Sequence, residues 1–168
     1  WARDAVVYNI FPDSFASGEG SIRGSGAVLF HNLQRVRVML GGTLDGVAAN
    51  AKYIRSMGFS CVYLNPIFAA GEYHKYDTID YMHVDPCFGG DEAMRRMVKA
   101  LHAEGIRVII DGVFNHCGWR FWAFEDVVKN QERSRYRDWF YGLSFPVERP
   151  ADPEASPGYV TYAYERMM

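Results

Sequence analysis

Ile106-Arg107-Val108-Ile109-Ile110-Asp111-Gly112-Val113-Phe114-Asn115-His116 decides how this chain folds. Val108, Ile109 and Ile110 are three consecutive apolar residues, the pattern of a parallel strand covered on both faces. The strand is predicted over Ile106–Phe114, and its C-terminal end delivers an acid, an amide and an imidazole. In parallel α/β folds the carboxyl ends of strands are where ligands bind and chemistry happens. Read alone, the same residues also suit a turn cap (Asp111), a strand terminator (Asn115) and an ordinary loop histidine (His116). The rest of the chain has to decide between these readings.

Upstream, Ala5–Phe11 is a compact apolar strand closed by Pro12, and Phe59–Asn65 is a second one ended by Pro66. Between them a Gly/Ser-rich loop, Ser17 to Gly26, leads to helical spacing at Leu44, Val47, Ala51 and Ile54. Thr43 is placed to cap that helix and Gly58 to stop it. A further helix carries Met94, Met97, Val98 and Leu101 on one face, with Asp91 and Glu92 in its first turn and Gly105 after its end. The order β-α-β-α-β is the signature of a right-handed parallel arrangement. The stretch from Pro66 to Gly90, rich in Tyr, His and Asp, reads as an irregular functional loop. Beyond Asn115, helical pieces are predicted near Phe121–Lys129 and Ser134–Tyr141, followed by a segment carrying Pro146, Pro150, Pro153 and Pro157.

Composition bounds the function. The 168 residues are 49% hydrophobic and 15% aromatic, enough for one globular domain with a sizeable core. A formal net charge of −2 gives no broad electrostatic grip on nucleic acid or an anionic membrane. Arg133, Arg135 and Arg137 sit between Glu132 and Asp138 and read as a solvated face. No segment reaches the roughly 18 apolar residues of a membrane span. Cys61, Cys87 and Cys117 have no metal-type spacing. Cys61 reads as core, nothing near Cys117 would lower its pKa into the range of a nucleophile, and the set fits a reducing compartment such as the cytoplasm. The chain opens on Trp1 inside the approach to a strand, so a natural start upstream is expected.

Several segments, taken in order, resemble the α-amylase family of glycoside hydrolases, and within it the neopullulanase, cyclomaltodextrinase and maltogenic amylase group. Val7–Phe15 resembles its first barrel strand, and Gly41–Gly46 the approach to its first helix. Leu64–Phe68 resembles the end of its second strand. His74-Lys75-Tyr76-Asp77-Thr78-Ile79-Asp80-Tyr81, with Asp85-Pro86 and Phe88-Gly89, is the most group-specific match. Asp111–Gly118 resembles the family's first conserved region. Phe124–Val127 through Asp138–Phe140 resembles a small domain inserted after strand three. Ser14, where the family usually carries Arg, and Asn9, where Gln is common, depart from the pattern.

The resemblance implies a partial (β/α)8 barrel. Residues 1–114 would supply its first three βα units, and 115–168 the inserted domain, ending before strand four. Tyr162–Met168 resembles the stretch just ahead of that strand. The family's nucleophile and acid/base would then lie beyond Met168, leaving this chain with substrate-binding residues only. Tyr76 would stack on the sugar at the cleavage point, where its ring suits a pyranose face and growing positive charge. His116 would donate a hydrogen bond to a hydroxyl of the same sugar, and Asp111 would orient a neighbouring arginine. Asp77 and His74 would shape the cleft rim.

Asn115 matches a calcium-ligating position in many family members. One amide cannot make a site of six to eight oxygens, however, and the loop Ser17-Gly18-Glu19-Gly20-Ser21 lacks most ligands of the group's other calcium site. No cofactor is therefore expected. The implied partner is an α-glucan oligosaccharide or cyclodextrin, with a homodimer in the full-length parent. Competing readings are a non-catalytic barrel relative and an independent carbohydrate- or protein-binding module; the retention of both Tyr76 and His116 favours the hydrolase.

Overall fold

The computed structural model describes residues 1–18, 39–148 and 159–161. Most of the loop Ser17–Gly26, the prolines at 150, 153 and 157, and Tyr162–Met168 lie outside the described residues. In chain order the elements are β1 (Val7–Ile10), α1 (Pro12–Phe15), α2 (Leu44–Ala49), α3 (Ala51–Ser56), β2 (Cys61–Leu64), β3 (Phe68–Ala70), β4 (Thr78–Val84), α4 (Gly90–Ala103), β5 (Arg107–Ile110), β6 (His116–Gly118), α5 (Trp122–Asn130) and β7 (Tyr159–Thr161). They form two compact units, Trp1–Ile67 with His83–Asp111, and Phe68–Met82 with Gly112–Met168.

The first unit is built on a parallel sheet in the order β1-β2-β5, with Val7 beside Cys61 and Cys61 beside Arg107. β2 is central, and its Cys61, Val62 and Leu64 are fully buried. β5 differs from the expectation of a strand covered on both faces. Arg107 and Ile110 are exposed, and Val108 and Ile109 only half-buried. Among the described residues it is the outer strand of this sheet with a neighbour on one side alone, so its apolar run is not enclosed as that of β2 is. It is also shorter than predicted, ending at Ile110. Asp111 follows it directly, its N–H donating to the Leu64 carbonyl at 3.0 Å.

The expected helix after Thr43 is capped as its sequence predicts, the threonine oxygen accepting from Gly46 N at 3.1 Å. It is, however, two helices rather than one. The Asn50 side-chain amide donates to the Gly46 carbonyl at 2.8 Å. That carbonyl is the acceptor the Asn50 backbone N–H would use in a continuous helix, and the N–H turns to Val47 and Ala48 instead. The apolar stripe survives the break, with Leu44, Val47, Ala51 and Ile54 all in the core. Gly46 is required for the packing. A Cβ there would stand 2.0 Å from the Ala16 carbonyl oxygen, so the helix can lie this close only on a glycine.

α4 runs as predicted, burying Ala93, Met97 and Leu101 against the same core, with Met94 and Val98 partly covered. Gly58 and Gly105, both with positive φ, end α3 and α4. Asp45 of α2 and Arg96 of α4 form a two-pronged ion pair at 2.8 and 2.7 Å. No helix among the described residues is long and apolar enough to cross a membrane.

The second unit corrects two expectations. Pro66–Gly90 is not irregular throughout: β3 and β4 pair as a two-stranded sheet. Thr78, Ile79 and Tyr81 are good strand formers, and the polar residues among them masked the period. Ser134–Tyr141 is not α-helical either. It contains a short 3-10 turn, Arg137–Trp139. Ser134 is extended, its Oγ donating to Asp126 Oδ2 at 2.6 Å and accepting from Tyr136 N at 3.1 Å, bonds that compete with a helix. α5 forms within one residue of its predicted position. Its Phe124 and Val127 pack with Cys117, Phe121, Phe140 and Val147 in a core of their own. Cys117 is fully buried there, inaccessible as a nucleophile.

Candidate functional site

The turn between β3 and β4 is closed by its own side chains. Both carboxylate oxygens of Asp77 accept from Glu72 N–H, at 2.9 and 3.0 Å. Lys75 takes a left-handed conformation at φ 63, its N–H donating to the Glu72 carbonyl at 3.1 Å. For a residue with a side chain that is an uncommon state, held here by the turn around it. The turn presents His74 and Tyr76, both exposed.

Two imidazoles grip the backbone of Tyr76. Its N–H donates to His74 Nδ1 at 3.0 Å, and its carbonyl lies 3.0 Å from His116 Nε2. A carbonyl oxygen only accepts, so His116 Nε2 carries the proton of that bond. The same ring's Nδ1 is 3.1 Å from the Asn115 side-chain amide nitrogen, which can only donate. The two contacts are mutually consistent for one neutral tautomer, with hydrogen on Nε2 and the lone pair on Nδ1. Tyr81 anchors the segment from the other side. Its hydroxyl bridges the carbonyls of Val113 and His116 at 2.7 and 2.9 Å, and its ring stacks near Phe114. β6 then continues from His116, pairing antiparallel with β7 so that His116 lies beside Thr161.

Electrostatically, Asp77 is the unusual group. Burial pushes its carboxyl above the ordinary value, against the downward pull of the Glu72 peptide N–H and of His74. Gly71 explains how the turn closes so tightly: a Cβ there would stand 2.6 Å from Asp77 Oδ2 and 3.0 Å from Arg120 Nη2. Of the residues expected from sequence, His74, Tyr76, Asp77, Asn115 and His116 come together in the second unit. Asp111, half-buried after β5, belongs to the first. Sequence reasoning gave no role to Tyr81, Gly71 or Arg120. Tyr81 closes the His74–Tyr81 motif and was the one available signal.

For calcium the arrangement is a poor fit. The Asn115 amide nitrogen is engaged by His116, leaving one oxygen. Among the described residues no group of three or more His, Cys, Asp or Glu side chains could hold a metal. Residues 19–21 of the other candidate loop lie outside the described residues.

A sequence profile for the alpha amylase catalytic domain matches residues 9–165. The chain belongs to the α-amylase family. Among curated relatives, a cyclomaltodextrinase from Geobacillus thermopakistaniensis (strain MAS1) is 42% identical over 100% of this chain and 28% of its own length. Neopullulanase 2 of Thermoactinomyces vulgaris is 44% identical over 89% of this chain and 26% of its own. Among solved structures, the cyclic α-maltosyl-(1→6)-maltose hydrolase of Arthrobacter globiformis matches with a TM-score of 0.79 at 34% identity, covering 98% of this chain and 39% of that one. The parallel strands and their helices are therefore part of an α-amylase-type glycosidase fold, and the chain spans little more than a quarter of the length of these curated relatives.

Proposed function

We propose that this chain is the substrate-holding N-terminal part of the catalytic barrel of a retaining α-glucan hydrolase or transglycosylase. Its substrates are the α-1,4-linked, and by extension α-1,6-linked, glucosides of maltodextrins, cyclodextrins or pullulan. The observation that carries this reading is the grip of His74 and His116 on the Tyr76 peptide, which places the root of an exposed aromatic side chain beside an imidazole. A ring so placed can lie against the apolar face of a pyranose and favour positive charge as the glycosidic bond breaks. His116 stands one hydrogen bond away, able to exchange the Tyr76 carbonyl for a sugar hydroxyl. A bond that tightens only as charge develops accelerates the reaction rather than merely holding substrate. Asp77 and His74 shape the rim, and Asp111 would orient an arginine supplied by a longer protein.

The two carboxyl groups that a retaining mechanism needs, about 5–5.5 Å apart, would come from other segments of a longer protein. Residues 115–168 would form the small domain inserted after the third barrel strand. The cyclomaltodextrinase and neopullulanase names of the relatives support the substrate class.

The test uses the protein that carries this chain. It should release sugar from cyclodextrin, pullulan or maltodextrin, and Tyr76→Ala and His116→Ala should each lower kcat by about tenfold or more, beyond any rise in KM. Absence of hydrolysis on all three substrates overturns the proposal. Unchanged kcat with a raised KM removes the catalytic roles.

A further inference from the structure

The two imidazoles that hold the Tyr76 peptide do not respond alike to a proton. His116 Nε2 donates to the Tyr76 carbonyl, and it carries that hydrogen whether the ring is neutral or charged. His74 holds the other end of the residue, where its Nδ1 accepts from the Tyr76 N–H at 3.0 Å. An imidazolium has hydrogen on both nitrogens and no lone pair to accept with. Protonation of His74 therefore turns this bond into a meeting of two N–H groups. His74 is exposed, so solvent protons reach its ring.

The turn itself stays closed when that bond is lost. The titratable and charged groups that meet here are Glu72, Tyr73, Lys75 and Asp77 of the turn, His116 from the start of β6, and Arg120 beside Gly71. Asp77 interacts with His74 through charge. Positive charge on the imidazole favours the Asp77 carboxylate, the form that accepts from Glu72 N–H, while the Glu72 charge opposes it. The N–H of Lys75 goes to the Glu72 carbonyl and takes no part in the exchange. A proton on His74 thus supports the bonds that close the turn and removes the one that holds the Tyr76 N–H.

We propose that His74 is a positioning residue for the sugar-stacking Tyr76 and that it acts only while its ring is neutral. The inference rests on the α-glucan reading above and adds a proton-dependent condition to the placing of the ring. Histidine is the side chain whose charge ordinarily changes between about pH 5 and pH 8, so the condition operates within that window. The Tyr76 N–H bond is exposed, which puts its loss at the low end of a hydrogen bond's worth, about two- to fivefold in an equilibrium.

Two readouts on the full-length protein test this and separate it from the hydrolase reading. The first is kcat/KM on cyclodextrin between about pH 5 and pH 8 for the wild type, His74→Ala and His74→Asn. An asparagine oxygen can accept from the N–H two residues on, as in an Asx turn, and does not titrate. The wild type should exceed His74→Ala by about two- to fivefold at the alkaline end and converge on it at the acid end. The advantage of His74→Asn over His74→Ala should not change with pH. Titration of the catalytic carboxyl groups acts on all three proteins and cancels from these ratios. A wild-type advantage that is equal at both ends overturns the proposal. The second readout is the nitrogen NMR spectrum of isotope-labelled histidines, with His74 assigned by the loss of its signals in His74→Asn. The neutral ring should show a bare Nδ1 and a protonated Nε2; hydrogen on Nδ1 overturns the proposal whatever the activity. In a protein that hydrolyses no α-glucan, a bare Nδ1 and a Tyr76 amide signal that follows the His74 titration would leave the tie standing and overturn the hydrolase reading instead.

Discussion

His116 Nε2 lies 3.0 Å from the carbonyl oxygen of Tyr76, joining two residues that are forty positions apart in the chain. The start of β6 and the β3–β4 turn are thus tied to each other. The imidazole holds the Tyr76 peptide, and that peptide's carbonyl together with the Asn115 amide selects the imidazole's tautomer. His74 completes the grip through the Tyr76 N–H. Substrate binding that draws the Nε2 proton toward a sugar hydroxyl would release the Tyr76 carbonyl, coupling placement of the ring to contact with the sugar.

That coupling predicts non-additive mutations. His116→Ala removes the imidazole's own contact and also loosens the Tyr76 ring, so adding Tyr76→Ala to it should cost less than Tyr76→Ala alone. In a double-mutant cycle on kcat/KM, the double variant should fall short of the sum of the singles by about 1 kcal/mol, within the roughly 0.5–3 kcal/mol of residues in contact. Additive losses would show that the ring holds its position without the histidine.

Asp77 predicts a pH effect with a definite sign. Its carboxyl lies above the ordinary 3.8 because burial disfavours the charged form. The folded state therefore binds the proton more tightly than the unfolded one, and stability falls as pH rises from 3.8 through the raised folded value. Asp77→Asn lacks this fall. Urea midpoints measured between about pH 3 and pH 7 should show the variant gaining on the wild type as pH rises, then running parallel to it. A difference that is flat, or slopes the other way, rejects burial as the dominant cause.

Asp45 should behave oppositely. Its hydrogen bond and charge interaction with Arg96 hold the carboxyl below 3.8. The resulting stability is complete above 3.8 and lost as pH falls through the depressed folded value. Asp45→Asn should therefore be the less stable protein near neutrality and converge on the wild type in acid. Both partners are substantially solvent-exposed, so the effect is modest and shrinks with salt. An effect indifferent to ionic strength would point to lost packing between α2 and α4 instead.

Apolar period and caps made β2, α4 and α5 legible from sequence, because each buries one continuous stripe or run; β1 was legible from its apolar run although only Ile10 of it is buried. What escaped was decided by single polar side chains. Asn50 takes one backbone acceptor and divides a helix whose hydrophobic stripe is unbroken. Ser134 takes bonds that stop another helix before it forms. The apolar run of β5 named its strand correctly but not its exposure, which depends on how many strands flank it. In the candidate site the residue types were legible, yet their mutual bonds were not. Tyr76 and His116 read as separate contacts to one sugar, and no spacing rule links a backbone carbonyl to a ring forty residues away.

Gly71 offers the sharpest test of that local geometry. Its missing side chain lets the Asp77 carboxylate and the Arg120 guanidinium approach the turn from two directions. The Arg120 contact can yield, since it is the far end of a flexible side chain. The Asp77 contact at 2.6 Å cannot yield without breaking the bonds from Glu72 N–H that close the turn. Gly71→Ala should therefore open the turn and displace Tyr76, with about 1–3 kcal/mol of lost stability as in other overpacked sites. Activity on cyclodextrin should fall in the same variant. Combining it with Asp77→Ala, which removes the obstructing carboxylate, should restore part of the stability that Gly71→Ala loses but not the activity, because the turn is then unclosed. Full activity in Gly71→Ala would mean that Tyr76 does not depend on this closure.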